Sequence, residues 1–128
     1  MGKFHLNNWI EIEGVEVVGF CDPDDKNATA VADKYKIKRY DTAEELFEHC
    51  DAADIVAPTT LHYELCALAL RKGKHVFVEK PLTNTMEEAK YLCKLAKKYN
   101  MRFKVGHKER FNTAFYAFKY YDLNTMYI

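Results

Sequence analysis

The sequence predicts an α/β fold in which helices cover both faces of a parallel sheet. Short apolar runs that are bounded by turn residues alternate with amphipathic segments of helical length. The runs are nearly continuous in apolar residues, as is typical of parallel strands that are covered on both faces. With 128 residues, 48% of them hydrophobic, the chain has the size and the composition of one globular domain.

The first four predicted elements follow from apolar spacing. Residues 2–11 carry an apolar stripe at helical spacing, and the stripe ends before Gly14. Residues 15–20 form a near-continuous apolar run, which predicts a strand that is buried on both faces. Residues 24–36 again show helical spacing, and residues 38–40 predict a short strand.

The remaining elements are marked by caps and by turn residues. Thr42 and Thr85 each precede a helical pattern and have a glutamate three residues later, as in a capping box. Gly73 stands where a helix usually ends. In chain order these elements are a helix at 42–50, a strand at 53–58, a helix at 61–71, a strand at 75–78, a helix at 85–99 and a strand at 102–106.

Glu79, Lys80 and Pro81 follow the predicted strand at 75–78. Pro81 cannot donate to a sheet ladder and disfavours a helical conformation at Lys80, so the strand must end here. In open α/β sheets, ligands bind outside the carboxyl ends of the strands. An acid, an amine and a fixed turn at this place indicate a binding or catalytic site. A solvated loop between a strand and a helix accounts for the same three residues equally well.

Composition and cysteine spacing argue against several other functions. The 19 basic and 19 acidic residues form no basic stripe, so nucleic acid is not expected as a partner. No apolar run is long enough to span a membrane and no signal-peptide core is present, so we expect a cytoplasmic protein. The cysteines show no C-x-x-C spacing, so neither a metal site nor a redox pair is predicted. We expect buried, reduced thiols at Cys21, Cys66 and Cys93.

Three segments of the chain form a specific combination when they are taken in order. They read VVGFCDPD, ADIVAPTTLHYELCALALRKGKHVFVEKPL and VGHKERFN. Together they resemble the Gfo/Idh/MocA family of NAD(P)-dependent oxidoreductases, and the resemblance extends from residue 2 to about residue 115. It implies a Rossmann-like doubly wound parallel sheet. It also implies a hydride transfer between a nicotinamide cofactor, NAD or NADP, and a sugar, cyclitol or nucleotide-sugar substrate.

The resemblance implies two catalytic candidates. Lys80 would face the reacting carbon beside the nicotinamide. There its ammonium can hydrogen-bond a substrate hydroxyl and favour the alkoxide that forms as hydride leaves. His107 ends a strand at the same edge of the sheet and could face the substrate. A lone histidine at such a position is about as often a loop residue without a chemical role.

The resemblance also implies a set of cofactor contacts. These residues are Gly2, Asp22, Pro58, Thr59, Thr60, His62, Glu79, Lys80 and Pro81. Asp22 would accept from the adenosine ribose hydroxyls, and its charge would repel a 2′-phosphate, which favours NAD over NADP. Turn chemistry at a strand end explains Asp22 as well, and Thr60 would also serve as a helix cap. Gly2 stands at the spacing from Asp22 that is expected for the third glycine of a G-x-G-x-x-G turn.

Two parts of the family pattern are missing. The first strand and the first two glycines are absent ahead of Gly2, and the α/β half that carries the substrate is absent after the matched region. We therefore expect an incomplete Rossmann-like domain at residues 1–107 and the start of a connection to a missing substrate domain at residues 108–128. We expect no turnover from the chain as written. The alternative is a non-catalytic module that binds nucleotide or associates with a full-length relative.

The missing strand would lie in the middle of the sheet, between the strands at 15–20 and 53–58. About four buried apolar side chains would be lost at ~1.5–3 kcal/mol each, or ~6–12 kcal/mol, which equals the net stability of a typical domain. We therefore expect a marginal fold, direct pairing of these two strands, or a strand borrowed from residues 124–128 or from another copy. Exposed central strands favour association, so we also expect the chain to self-associate.

Overall fold

The computed structural model describes residues 2–107. In chain order the elements are α1 (Gly2–Glu11), α2 (Asp25–Tyr35), α3 (Ala43–Glu48), β1 (Ala52–Ile55), α4 (Thr59–Arg71), β2 (His75–Glu79), α5 (Met86–Lys98) and β3 (Phe103–Gly106). Within this range no helix combines the length and the apolar character needed to cross a lipid bilayer. The predicted connection at 108–128, including the candidate strand at 124–128, lies outside the described residues.

The three strands form one parallel sheet in the order β1-β2-β3. Ile55 pairs with Val78, and Glu79 pairs with Gly106. The α/β class is therefore confirmed. Because the strands are parallel, the loops that follow them emerge at the same edge of the sheet, which we call the carboxyl edge.

One face of the sheet packs against α4 and α5. Alternate side chains of the strands, such as Ile55 and Val78, point to this face and are buried. The core on this side consists of Phe47, Ala53, Ile55, Cys66, Ala67, Ala69, Leu70, Val76, Val78, Leu92, Leu95 and Ala96. The small side chains of α4 let this helix lie close to the strands beneath it.

The opposite face of the sheet meets α1. Asp54 and Phe77 alternate with the core residues and therefore point to this other face. The rings of His5 and Trp9 in α1 lie 6.1 and 6.3 Å from the ring of Phe77, measured between centroids. Helices thus lie on both faces of the sheet, which is the doubly wound arrangement that the sequence predicts.

The threonine caps predicted for α3 and α5 are present. The Thr85 hydroxyl accepts from the Glu88 N–H at 3.2 Å, and the Glu88 carboxylate accepts from the Thr85 N–H at 3.2 Å, which completes a capping box. The Thr42 hydroxyl accepts from the Glu45 N–H at 3.1 Å and so caps α3. These local bonds explain why both helix starts were predicted to the residue.

The two strands predicted at 15–20 and 38–40 are wrong. These segments meet at a single parallel bridge between Phe20 and Arg39. The Phe20 N–H donates to the Lys38 carbonyl at 3.0 Å, and the Tyr40 N–H donates to the Phe20 carbonyl at 2.9 Å. An extended apolar segment becomes a strand only where a neighbour pairs with its backbone. No described residue pairs with the other side of 15–20, so direct pairing with β1 does not occur in this part of the chain.

All four cysteines are free, and only part of the prediction about them holds. Cys66 is fully buried, and this burial raises the pKa of its thiol to about 12. Cys21 and Cys93 are exposed, so the expectation of buried thiols is wrong for these two. Cys93 directly follows Leu92, one of the three buried residues of α5, and therefore points away from the core.

Candidate active site

Three loops meet at the carboxyl edge of the sheet. The loop after β1 contains Pro58, the turn after β2 contains Lys80 and Pro81, and His107 follows β3. Residue pairing along β1 and β2 places the first two loops side by side. The structure therefore brings together the predicted residues that follow these strands.

The backbone of Lys80 is hydrogen-bonded, whereas its side chain is exposed to solvent. Its backbone N–H donates to a carboxylate oxygen of Glu79 at 3.1 Å, and the peptide bond to Pro81 is cis. Among residues 2–107, no carboxylate forms an ion pair with the Lys80 ammonium. The ammonium is therefore available to a ligand at this edge.

Glu79 is buried, with 8% of its surface exposed. One carboxylate oxygen accepts from the Lys80 N–H, and the other lies 3.0 Å from Nε2 of His5. A Cβ atom added at Gly106, the paired residue of β3, would lie 3.2 Å from this second oxygen. The glycine thus makes room for the carboxylate. Both Glu79 oxygens are engaged inside the protein, and a direct contact between Glu79 and a cofactor stays a prediction.

His62 joins the first two loops from beneath. The side chain is 1% exposed, with Nδ1 at 2.8 Å from the Pro81 carbonyl and Nε2 at 2.8 Å from the Ala57 carbonyl. A carbonyl oxygen only accepts, so both bonds form together only when the ring is protonated at both nitrogens. A hydrogen bond from either ring nitrogen to a cofactor would require one of these bonds to break, and the cofactor contact that the resemblance implies for His62 stays a prediction.

Helix α4 begins at the carboxyl edge without a side-chain cap. Pro58 occupies the N-cap position, one residue before Thr59, so the prediction that Thr60 caps this helix is wrong. The first turn of α4 contains no acidic residue, whereas α2, α3 and α5 have both a side-chain cap and acidic residues in the first turn. The positive end of the α4 dipole is therefore not neutralised and suits an anionic group.

Asp22 lies two residues after Phe20 and forms a turn. One of its carboxylate oxygens accepts from the Asp24 N–H at 2.9 Å, which is the turn chemistry that the sequence offered as the alternative. Arg39, which sequence reasoning missed, donates to the Asp22 carbonyl at 2.9 Å and to the Asp25 carboxylate at 2.7 Å. The hydrogen bond that the Arg39 guanidinium donates to the Asp25 carboxylate raises the pKa of Arg39. The ribose contact of Asp22 stays a prediction.

The amino end of α1 lies at the carboxyl edge, because His5 in its first turns contacts Glu79 at the last residue of β2. Gly2 is surrounded by open space, since a Cβ atom added there would meet nothing within 4 Å. The first turn of α1 contains no acidic residue. This helix start therefore suits a phosphate, as the spacing between Gly2 and Asp22 implies.

A polar cluster beneath this edge was not predicted from the sequence. Nδ1 of His5 lies 2.8 Å from an oxygen of Asp54, and the Trp9 indole N–H donates to the same oxygen at 2.5 Å. The sequence did contain a signal for it. His5 and Trp9 are four residues apart and so share one face of α1, and Asp54 interrupts an apolar strand.

These observations test whether a dinucleotide fits the chain. Two helix starts without acidic residues suit phosphates, the Lys80 ammonium is accessible, and the second carboxylate oxygen of Asp22 has no hydrogen-bond partner among residues 2–107. The residues present therefore fit such a cofactor.

Residues 1–107 match the family model described as "Oxidoreductase family, NAD-binding Rossmann fold". The chain belongs to the Gfo/Idh/MocA oxidoreductase family. The matched residues include the carboxyl edge, α1 and the Asp22 turn. The NAD-binding Rossmann part of this family is therefore the part that the structure describes.

Three relatives illustrate the similarity. UDP-N-acetylglucosamine 3-dehydrogenase of Acidithiobacillus ferrooxidans is 29% identical over 114 residues, which are 89% of this chain and 36% of that protein. Its solved structure matches with a TM-score of 0.85 at 28% identity, over 92% of this chain and 38% of that one. A 4-carboxy-2-hydroxymuconate-6-semialdehyde dehydrogenase of Sphingobium sp. is 34% identical, over 87% of this chain and 36% of that protein. The scyllo-inositol 2-dehydrogenase (NAD(+)) of Bacillus subtilis is 33% identical, over 90% of this chain and 35% of that protein. The chain spans little more than a third of the length of these relatives.

Proposed function

We propose that this Gfo/Idh/MocA chain is the nucleotide-binding part of an enzyme that transfers hydride between a nicotinamide cofactor and a sugar, cyclitol or nucleotide-linked sugar. The accessible ammonium of Lys80 at the carboxyl edge, beside the uncapped start of α4, carries this proposal. The names of two relatives, a dehydrogenase of UDP-N-acetylglucosamine and one of scyllo-inositol, support the substrate class.

The chain's own residues would hold the cofactor and polarise the substrate. A bound nicotinamide cofactor supplies the group that accepts or donates hydride. The amino ends of α1 and α4 offer N–H groups to its phosphates. Lys80 donates a hydrogen bond to the substrate hydroxyl and stabilises the negative charge that grows on this oxygen. His62 and Glu79 keep the two flanking loops in place, because their polar atoms bond to these loops from below.

Asp22 and Arg39 together favour NAD over NADP. The Asp22 carboxylate would repel a 2′-phosphate. Arg39 could in principle neutralise such a phosphate, but its guanidinium is already paired with Asp25 at 2.7 Å. We therefore propose NAD as the preferred cofactor.

A titration monitored by NMR tests this function. The ¹⁵N-labelled chain is mixed with NAD⁺ or NADP⁺, and we expect millimolar NAD⁺ to shift the amide signals of Asp22, Thr59 and Lys80. Asp22→Asn keeps the acceptor for the Asp24 N–H and removes the charge, so it should reduce the preference for NAD⁺ by roughly tenfold, the equivalent of one charged contact. Asp33→Asn, on the exposed side of α2, is the matched control.

Two outcomes would count against parts of this proposal. An absence of shifts at Thr59 and Lys80 with either cofactor would remove the proposed nucleotide site. An affinity for NAD⁺ tighter than millimolar would contradict the expected weak binding.

We also propose that the chain self-associates. Large apolar side chains of the first fifteen residues are exposed, among them Phe4 at 72%, Ile10 at 47% and Val15 at 41%. The backbone of residues 15–20 is paired at a single position. Sedimentation velocity at micromolar concentrations should therefore show species larger than a monomer, and a single sharp monomer boundary would contradict the proposal.

A further inference from the structure

We propose that His5 is a positioning residue for Lys80. It binds the carboxylates of Asp54 and Glu79 through its two ring nitrogens, and by holding Glu79 it fixes the turn that presents the Lys80 ammonium. The inference rests on the proposed function in one respect, namely that Lys80 is the residue that meets the substrate.

Four side chains form what we call the His5 cluster: His5, Trp9, Asp54 and Glu79. The ring of His5 spans from β1 to β2, with contacts of 2.8 Å to Asp54 and 3.0 Å to Glu79. The side chains of His5, Asp54 and Glu79 are 17%, 15% and 11% exposed. A helix residue thus joins two neighbouring strands at a place that is largely closed to water.

The His5 cluster contains two carboxylates, which determine its charge. Two carboxylates that are both ionised and poorly solvated repel each other, and each can only accept hydrogen bonds. When they are ionised, both nitrogens of His5 must donate, and the ring then carries a positive charge between them. Histidine is the side chain that can supply two opposed N–H donors and one charge within a single planar ring. The Trp9 indole adds a third donor, on Asp54.

Glu79 connects the His5 cluster to the turn that contains Lys80. One oxygen of Glu79 faces His5, and the other accepts the backbone N–H of Lys80 at 3.1 Å. With both oxygens engaged, the carboxylate has one orientation. Without His5, a buried carboxylate would lose a charge-assisted bond and stand beside Asp54 without compensation, so it would turn towards water. The Lys80 N–H would then lose its acceptor, and the position of the ammonium would become less defined.

The test compares the unmodified chain with His5→Gln, using ¹⁵N NMR. We expect His5→Gln to shift the indole N–H signal of Trp9, which is the only tryptophan, and to speed hydrogen exchange at the Lys80 amide by about tenfold, as for one lost hydrogen bond. His49→Gln is the matched control, because His49 is exposed and its ring contacts Tyr40 instead of the cluster. It should change neither signal.

A second variant separates positioning from stability. Glu79→Gln should also speed exchange at the Lys80 amide. If His5 acts through Glu79, the double variant His5→Gln/Glu79→Gln should speed this exchange by less than the two single effects combined. A role of His5 in helix stability alone would give additive effects. If exchange at Lys80 is unchanged in His5→Gln while the Trp9 signal shifts, His5 only anchors α1 and the proposal is wrong.

Two further measurements complete the design. If His5→Gln does not fold, the imidazole ¹⁵N signals of the unmodified chain decide, since the proposal requires both ring N–H groups to be hydrogen-bonded and a ring with one bonded nitrogen overturns it. Titration with NAD⁺ distinguishes the proposed cofactor binding from the proposed role of His5. Failure of NAD⁺ to shift any signal removes the proposed function, whereas the response of the Lys80 amide to His5→Gln still reports on positioning.

Discussion

Two regions of this molecule are held together in different ways. The sheet region, residues 52–106, has three paired strands and contributes every residue except Phe47 to the core between the sheet and helices α4 and α5. The N-terminal region, residues 2–51, contains three helices, but its extended segments are joined by only one backbone bridge. Helix α1 has no buried residue and meets the sheet through the side chains of His5 and Trp9.

The comparison shows which elements depend on a neighbour. A helix pairs most of its backbone groups within itself, so α1, α2 and α3 are regular helices although the extended segments beside them are paired at a single position. A strand needs a partner along its length, so the apolar run at 15–20 stays irregular although its composition is that of a strand. The stability of the sheet region should therefore be largely independent of the N-terminal region, and four predictions test this difference.

The largest effect is expected in the core of the sheet region. Leu70→Ala removes a fully buried side chain of α4 and should lower the free energy of unfolding by about 3 kcal/mol, because a cavity is left among well-packed neighbours. Leu61→Ala, at a position of the same helix that is 42% exposed, should cost less than about 1 kcal/mol. Urea unfolding measures both. Equal losses in the two variants would show that α4 is not packed as described.

A smaller and more local effect is expected in the N-terminal region. A Cβ atom at Gly19 would lie 2.5 Å from the Lys38 carbonyl oxygen and 2.5 Å from the Tyr40 ring. Gly19→Ala should therefore cost about 1–3 kcal/mol and break the bridge between the two extended segments. Hydrogen exchange should become faster at the Phe20 and Tyr40 amides.

The control for this prediction is Gly2→Ala, since a Cβ atom at Gly2 meets open space. Exchange at Val76 and Val78 in β2 should be the same in both variants if the sheet region is independent. Faster exchange of these core amides in Gly19→Ala would mean that the two regions unfold together.

A still smaller effect on the free energy of unfolding is expected at the capping box of α5. Thr85→Ala removes the acceptor for the Glu88 N–H and should lower the free energy of unfolding by about 1 kcal/mol. Thr85→Ser keeps the hydroxyl and should stay within about 0.5 kcal/mol of the original chain. Thermal unfolding of the three proteins gives the ranking, and a loss in the serine variant as large as in the alanine variant would contradict the role of the hydroxyl.

The last prediction concerns the chemical reactivity of the cysteine thiols, which reports on their burial and requires no substitution. Burial raises the pKa of Cys66 to about 12, so very little thiolate exists at neutral pH, and the surrounding core also blocks access. Iodoacetamide should therefore label Cys66 last, while the exposed Cys93 is labelled readily. Mass spectrometry of peptides gives the order. In urea the difference should vanish, and equal labelling in the folded chain would contradict the burial of Cys66.

Much of the site follows from local sequence, and some of it does not. Pro81 after an apolar run ends β2 by its own chemistry, and the parallel arrangement then brings Lys80 beside the loop that contains Pro58. The position of His62 was predicted on the same edge, but its burial beneath two carbonyl groups depends on loops that are distant in sequence. The contact of His5 with Glu79 joins residues that are 74 positions apart, and no local pattern encodes such a distance.

The sequence by itself determined the helices, the threonine caps of α3 and α5 and the three apolar runs that become β1, β2 and β3, because these depend on side-chain periodicity, on hydroxyl groups next to free N–H groups, and on the turn residues that bound each run. The tertiary structure alone decided which extended runs become strands, which cysteines are buried, and how the carboxylates of Asp54 and Glu79 are compensated. The physical reason is the same in each case. Backbone pairing, burial and charge compensation all require a partner from elsewhere in the chain, and a residue's own neighbours in sequence do not reveal whether that partner is present.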